Sequence, residues 1–141
     1  MLAINKHLIV LFTLLFVAPK SYAGIEENMD SIYSELMRDL KQAKEGSSPD
    51  LVALRKYELG NYFFNSGLLT HAAEYYNDAL VDCTNSKGDT LYIDLNNKLG
   101  QVYMTLNDND VAKVFFEEAL QASVQSQNLT GEAESKLLLG H

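Results

Sequence analysis

The sequence repeats itself at a spacing of forty residues, without a gap, and this limits the possible folds more than any other feature. Leu59-Gly60 recurs as Leu99-Gly100 and again as Leu139-Gly140. Leu51 matches Leu91, Phe63 matches Tyr103, and Ala72 matches Ala112. The pair Tyr75-Tyr76 matches Phe115-Phe116, and Ala79-Leu80 matches Ala119-Leu120. A period of this kind marks a supersecondary unit that hides its apolar side only against its neighbours.

The pattern inside each unit is helical. Apolar residues recur three and four apart, which is one face of a helix. Ile25, Met29, Ile32, Leu36, Leu40 and Ala43 form one stripe and predict a first helix over about residues 25–44. Gly46-Ser47-Ser48-Pro49-Asp50 breaks it. Ser48 is the expected cap of the next helix, with Pro49 at the first helical position, where a missing N–H costs nothing. The first unit then reads as helix A over residues 50–66 and helix B over about 69–85. The second reads as A over about 89–106 and B over 109–126. Asn65-Ser66-Gly67 and Asn107-Asp108-Asn109 supply the turns, because Asn and Gly accept left-handed backbone. A third helix A opens near Thr130, with Glu132 and Glu134 favourably placed in its first turn.

Gly60 and Gly100 fall inside helices, where glycine costs about 1 kcal/mol relative to alanine. They are expected where another backbone comes close, as are Ala72 and Ala112 on helix B. Tyr76 and Phe116 are expected to fill the space between neighbouring pairs.

The first 23 residues read differently from the rest. Lys6 and His7 precede an apolar run, Leu8 to Val17, broken only by Thr13 and ended by Pro19. Ser21 and Ala23 stand at −3 and −1 for cleavage before Gly24, so residues 1–23 read as a secretory signal peptide. The run is short for a spanning helix, which needs about 20 apolar residues. An uncleaved amino-terminal anchor is the alternative. The expected organisation is therefore a signal peptide (1–23), a leading capping helix (24–48), two units (49–88 and 89–128) and a truncated third (129–141). Removing the leader takes Lys6 and Lys20 away and moves the formal charge from −8 to −10. Such a surface repels nucleic acid and anionic membrane, which are polyanions. Cys83 is the only cysteine, so no internal disulfide can form, and burial near the end of a helix is its expected state.

No catalytic constellation is present. His71 has no second His, Cys or carboxylate pair at metal-ligand spacing and reads as a surface residue. His141 ends the chain. Asp108-Asn109-Asp110 lacks the rest of a calcium loop and reads as a turn with a capping acid. Glu117-Glu118 reads as helix surface. Asn128-Leu129-Thr130 fits a glycosylation sequon, which matters only in a eukaryotic secretory pathway. No metal, cofactor or enzymatic activity is expected.

Leu59, Gly60, Phe63, Ala72, Tyr76 and Ala79, and again Leu99, Gly100, Tyr103, Ala112, Phe116 and Ala119, resemble the tetratricopeptide repeat. The resemblance covers about residues 50–141. Lys56 and Asn96 stand where the family often has Trp, and Thr84 and Val124 where it often has Pro. The spacing is forty rather than about 34. The resemblance implies an all-α fold of antiparallel helix pairs stacked as a right-handed superhelix, with each helix A lining the concave face. It places the peptide-binding groove on Leu54, Tyr57, Asn61, Phe64 and Asn65, then on Asp94, Asn97, Gln101, Met104 and Thr105. Amides there suit a peptide backbone, and Tyr57, Phe64 and Met104 suit an apolar side chain. Packing between helices is the competing role for Phe64 and Met104. No Lys or Arg cluster falls on these positions, so a carboxylate clamp is not expected.

The resemblance further implies a protein or peptide partner, and a sensor or interaction region of a longer exported signalling protein. The repeats are not expected to bind membrane directly. By the register, the chain stops halfway along the third helix A. That favours a truncated product of a longer chain. Two alternatives stand: an accessory region of an exported enzyme whose catalytic part lies beyond residue 141, and a small complete protein that self-associates through its open carboxy-terminal end.

Overall fold

A computed structural model describes residues 20–46, 48–83 and 89–140, with side chains from residue 30 onward. Most of the expected leader, the Ile25 and Met29 side chains, Thr84 and His141 lie outside the described residues. The described residues form six helices and no strand: α1 (Lys20–Glu45), α2 (Pro49–Asn65), α3 (Leu69–Asp82), α4 (Thr90–Thr105), α5 (Asn109–Gln125) and α6 (Leu129–Leu139). The first helix begins earlier than its apolar stripe suggests and takes in the expected cleavage position.

Two compact units divide the chain, residues 1–34 and residues 35–141. In the first, the Ser34 hydroxyl hydrogen-bonds back to the Asp30 carbonyl at 2.7 Å. The second holds the repeats. There α2 packs on α3 and α4 on α5, while α4 packs on α3 and α6 packs on α5 and reaches α4. Helices α2 to α6 begin at residues 49, 69, 90, 109 and 129, so a new helix starts about every twenty residues. The forty-residue period is thus two helices of near-equal pitch.

Three turns share one geometry. Leu68 N–H bonds the Phe63 carbonyl at 2.9 Å, Asp108 N–H bonds Tyr103 at 2.9 Å, and Asn128 N–H bonds Ser123 at 2.8 Å. The residue before each donor has positive φ: Gly67 at 74°, Asn107 at 62° and Gln127 at 57°. This arrangement satisfies carbonyls left open at a helix end. Sequence rules mark Gly67 and Asn107 but not Gln127, which lacks the usual turn chemistry.

The helix starts differ more. Asp108 accepts from Val111 N–H, and Asn128 accepts from Gly131 N–H. The Asn128 amide of the sequon is therefore a helix cap in this fold. Ser48 occupies the N-cap of α2, but its side chain makes no capping bond. Pro49 removes one of the open N–H groups there, and Asp50 supplies charge in the first turn. Asp108→Ala and Asn128→Ala should each lower stability by about 1 kcal/mol, whereas Ser48→Ala should leave the urea midpoint unchanged. A Ser48→Ala loss as large as the other two would contradict this account of α2.

The core runs along the seams between helices. Leu59, Tyr76, Ile93, Leu95, Leu99 and Val102 are completely enclosed. Gly60 and Gly100 sit where the expected close approach occurs, but the approaching group is a ring and not a backbone. A Cβ on Gly60 would lie 2.4 Å from the Tyr76 ring, and one on Gly100 would lie 2.3 Å from Phe116. Each helix A glycine is therefore a flat seat for the aromatic of its own helix B. The third Leu-Gly pair does not repeat this. Gly140 adopts φ 79° as the C-cap of α6, with no atom within 4 Å of a Cβ position.

Polar ties also link the two helices within each pair. Lys56 reaches from α2 to α3 and pairs with Asp82 at 2.8 Å, with its stem almost covered. Tyr92 of α4 donates its hydroxyl to Glu118 of α5 at 2.6 Å. Burial first, and this acceptor second, push the Tyr92 phenol up to about 12. Asn96 donates to the Tyr92 carbonyl inside α4. Cys83 is buried at the end of α3, and burial, with nearby Asp82, raises its thiol above the ordinary value.

Candidate functional site

Helices α2, α4 and α6 present one shared face, and electrostatics locate its centre. The Tyr57 hydroxyl on α2 is raised above its ordinary value by burial first. Its bond with Asn61 works against that, while Asp94 of α4 and Glu134 of α6 add to it. Asp94 is half-buried and raised by burial, then by Glu134, with Lys98 opposing. The alternate helices α2, α4 and α6 therefore bring Tyr57, Asp94 and Glu134 within electrostatic reach of one another.

The expected groove residues divide among several settings. Tyr57, Asn61, Phe64, Asp94 and Gln101 are half-buried, while Leu54, Asn65 and Thr105 are exposed. Asn61 is already engaged, because its Oδ1 accepts the Tyr76 hydroxyl at 2.7 Å. Thr105 bonds back to the Gln101 carbonyl at 2.8 Å. Phe64 is packed against the core and carries the Lys98 ammonium 5.7 Å from its ring centroid. The ammonium lies over the negative face of the ring, a favourable cation–π arrangement.

Two placements correct the expectation. Asn97 is not on the open face: it is 1% exposed, and its Oδ1 accepts the Ser135 hydroxyl of α6 at 3.1 Å. Helix α6 lies against this part of α4 and covers it. The Asn97 Nδ2 is buried without a hydrogen-bond partner. Met104 is 45% exposed, but it lines a separate cleft of about 350 Å³ with Asn109, Ala112, Lys113, Phe116, Leu138 and Leu139. Tyr57, Asn61 and Asp94 are the expected residues that do converge.

Sequence reasoning missed Lys98, Ser135 and, as a site member, Glu134. Lys98 follows Asn97 directly, and its match one unit earlier is Glu58, so periodicity gives no hint of it. The other two belong to α6, whose contact with α4 depends on a turn at Gln127 that lacks a turn residue. His71 is exposed, as expected, and its ring stacks on Phe63 at 5.3 Å. Among the described residues no three His, Cys, Asp or Glu side chains are grouped to hold a metal ion. No helix there is long and apolar enough to cross a membrane.

The fold and this face define an all-α helical repeat protein of the α-α superhelix class. Residues 93–123, which span most of the α4–α5 pair, match the family model for the tetratricopeptide repeat. The chain is similar in fold to BtubC (BKLC) from P. vanneervenii, seen in a crystal structure, at 21% identity and a TM-score of 0.74. The likeness covers 83% of this chain and 48% of that one, so this chain spans about half its length. No curated protein matches. Tetratricopeptide repeats generally mediate interactions between proteins.

Proposed function

We propose that this chain is an exported scaffold that binds a protein or peptide segment on the face formed by α2, α4 and α6. The observation that supports it is the convergence of Tyr57, Asp94 and Glu134 from the alternate helices α2, α4 and α6, beside the exposed or half-exposed Leu54 and Gln101. An apolar edge with interleaved polar groups is the make-up of a peptide-recognition surface. Export rests on the leader pattern of residues 1–23. The role as the sensing part of a longer signalling protein rests on the resemblance of that leader-plus-repeat arrangement.

Peptides selected from a random display library against the full chain test the face. Leu54→Ala combined with Gln101→Ala should weaken the selected peptides about tenfold or more, which is about 1.4 kcal/mol or more. Val114→Ala, on the exposed side of α5, should leave them unchanged. Equal affinities for all three proteins would place binding elsewhere. Amino-terminal sequencing of protein recovered from the expressing cells should begin at Gly24. An intact Met1 in the cytosolic fraction would refute export. For the signalling role, the gene beyond residue 141 should encode a membrane span and then kinase, cyclase or DNA-binding motifs. An exported hydrolase there would replace that role.

A further inference from the structure

We infer that the cleft lined by Met104, Phe116 and Leu139 docks one aromatic side chain of a partner polypeptide, at a site separate from the face of α2, α4 and α6 and independent of it. The chain itself shows what fills such a place. Ala112, Phe116 and Leu139 of the cleft correspond to Ala72, Tyr76 and Leu99, forty residues earlier. Those three are completely enclosed, and the Phe64 ring packs against their cluster. The Lys98 ammonium stands over that ring, 5.7 Å from its centroid. In the second repeat Met104 replaces Phe64 and is 45% exposed, while Leu139 is only half-buried. The walls are kept, but the ring that closes them is not. A cleft of about 350 Å³ remains. An apolar cavity of about 150 Å³ already admits benzene, so a ring and part of the backbone that carries it have room.

The charge of the lining suits the face of a ring. The chain carries a net charge of −8, yet none of the lining residues is acidic and one, Lys113, is a cation. Lys113 stands where the first repeat has Ala73. Its ammonium makes an exposed contact with Glu117 at 3.6 Å. Such a pair holds weakly in water, so Lys113 can lie over an incoming ring as Lys98 lies over Phe64. The ring has to come from another molecule. Every Phe and Tyr side chain among the described residues is buried or half-buried, and the exposed large apolar side chains are aliphatic or Met. A second copy of this chain therefore has no exposed ring to insert. A polypeptide also suits the surroundings better than a free aromatic molecule. Met104 and Leu137, which is 76% exposed, leave apolar surface that a backbone and its side chains would cover.

The experiment uses the full chain with labelled leucine methyl groups, read by NMR. Leu138→Ile and Leu139→Ile assign the two cleft signals. The probe is a capped peptide, Ser-Gly-Phe-Gly-Ser. A second probe carries cyclohexylalanine in place of phenylalanine, which keeps the size and removes the π face, and a third carries alanine. The phenylalanine probe should shift both methyl signals by its ring current and saturate in the millimolar range. The cyclohexylalanine probe should bind about two- to fivefold more weakly, in line with one cation–π contact, and the alanine probe should not bind. Lys113→Gln should bring the phenylalanine probe down to the cyclohexylalanine level. Met104→Phe supplies the ring from inside, so it should melt a few degrees above wild type and abolish binding. Leu54→Ala with Gln101→Ala should leave the probe unaffected, which separates this site from the shared face. An absent shift, or equal binding of the phenylalanine probe and either control, overturns the site. A Met104→Phe protein that still binds the probe, or that melts at or below wild type, overturns it too. If phenol binds as tightly as the peptide, the occupant is a free aromatic molecule and partner docking falls. If the two signals move on dilution of the protein alone, a second copy occupies the cleft and partner docking falls.

Discussion

Gly100→Ala should melt roughly 10 °C below wild type, although helix propensity alone favours the substitution by about 1 kcal/mol. The added methyl would lie 2.3 Å from Phe116, a separation at which something must move. The ring has little room to retreat, since Phe116 is 3% exposed inside a packed seam. Overpacking of this kind costs about 1–3 kcal/mol, occasionally more. At the upper end of that range, about 3 kcal/mol, less the propensity gain of about 1 kcal/mol, the net loss of about 2 kcal/mol sets the expected shift, at several degrees per kcal/mol for a unit of this size. Gly60→Leu should go further and unfold its repeat, because Tyr76 is completely enclosed. Phe116→Leu in the Gly100→Ala background should recover part of the loss, so that the two changes are clearly non-additive. A Gly100→Ala protein that melts at or above wild type would remove the ring-on-glycine seat as an explanation.

Asn61→Ala is the second large effect, with an expected loss of about 1–3 kcal/mol. The Tyr76 hydroxyl donates to Asn61 at 2.7 Å from inside the core. Burial holds that phenol far above its ordinary value, so it stays a neutral donor that needs an acceptor. Deleting the acceptor leaves the hydroxyl buried and unpaired. Removing the hydroxyl as well, in Asn61→Ala with Tyr76→Phe, should restore much of the stability. The second repeat also lacks this bond, since Phe116 stands at the position of Tyr76 and Gln101 at that of Asn61. Chemical denaturation of the four proteins closes the cycle. A double mutant as unstable as the sum of the singles would mean that the hydrogen bond is not what Asn61 contributes. Asn61 is thus a packing residue as much as a groove residue, and its removal does not probe binding cleanly.

The helices were legible in the sequence because their signals are local. Periodicity, Pro49, Gly67 and Asn107 marked α2 to α5 to within a few residues, and the register placed the start of α6 near Thr130, one residue from Leu129. Two failures share a cause. Leu139-Gly140 matches the earlier pairs letter for letter, yet Gly140 is a left-handed cap and not a seat. A glycine becomes a seat only where an aromatic from another helix arrives, and one sequence window does not encode that. Asn97 is expected on the open face because the resemblance carries a groove position onto it, as it does onto its counterpart Tyr57. Helix α6 then covers it, through Ser135, thirty-eight positions away. Glu134, by contrast, stands forty residues after Asp94, at the matching position of the register, so the repeat itself pointed to it. The Lys56–Asp82 tie lies at a position where the related repeats favour an aromatic, so the family pattern gave no warning of it.

The ring-on-glycine seat also has a kinetic side. Gly60 and Tyr76, like Gly100 and Phe116, are sixteen positions apart, so the main lock of each pair closes a short loop. Short loops close quickly, and chains dominated by local contacts fold fast. Each helix hairpin can then assemble before it meets its neighbour. By the same token, damage to one lock should open one hairpin early while the other persists. For Gly60→Leu, hydrogen exchange should show α2 and α3 amides losing protection well before those of α4 and α5, as separate cooperative blocks.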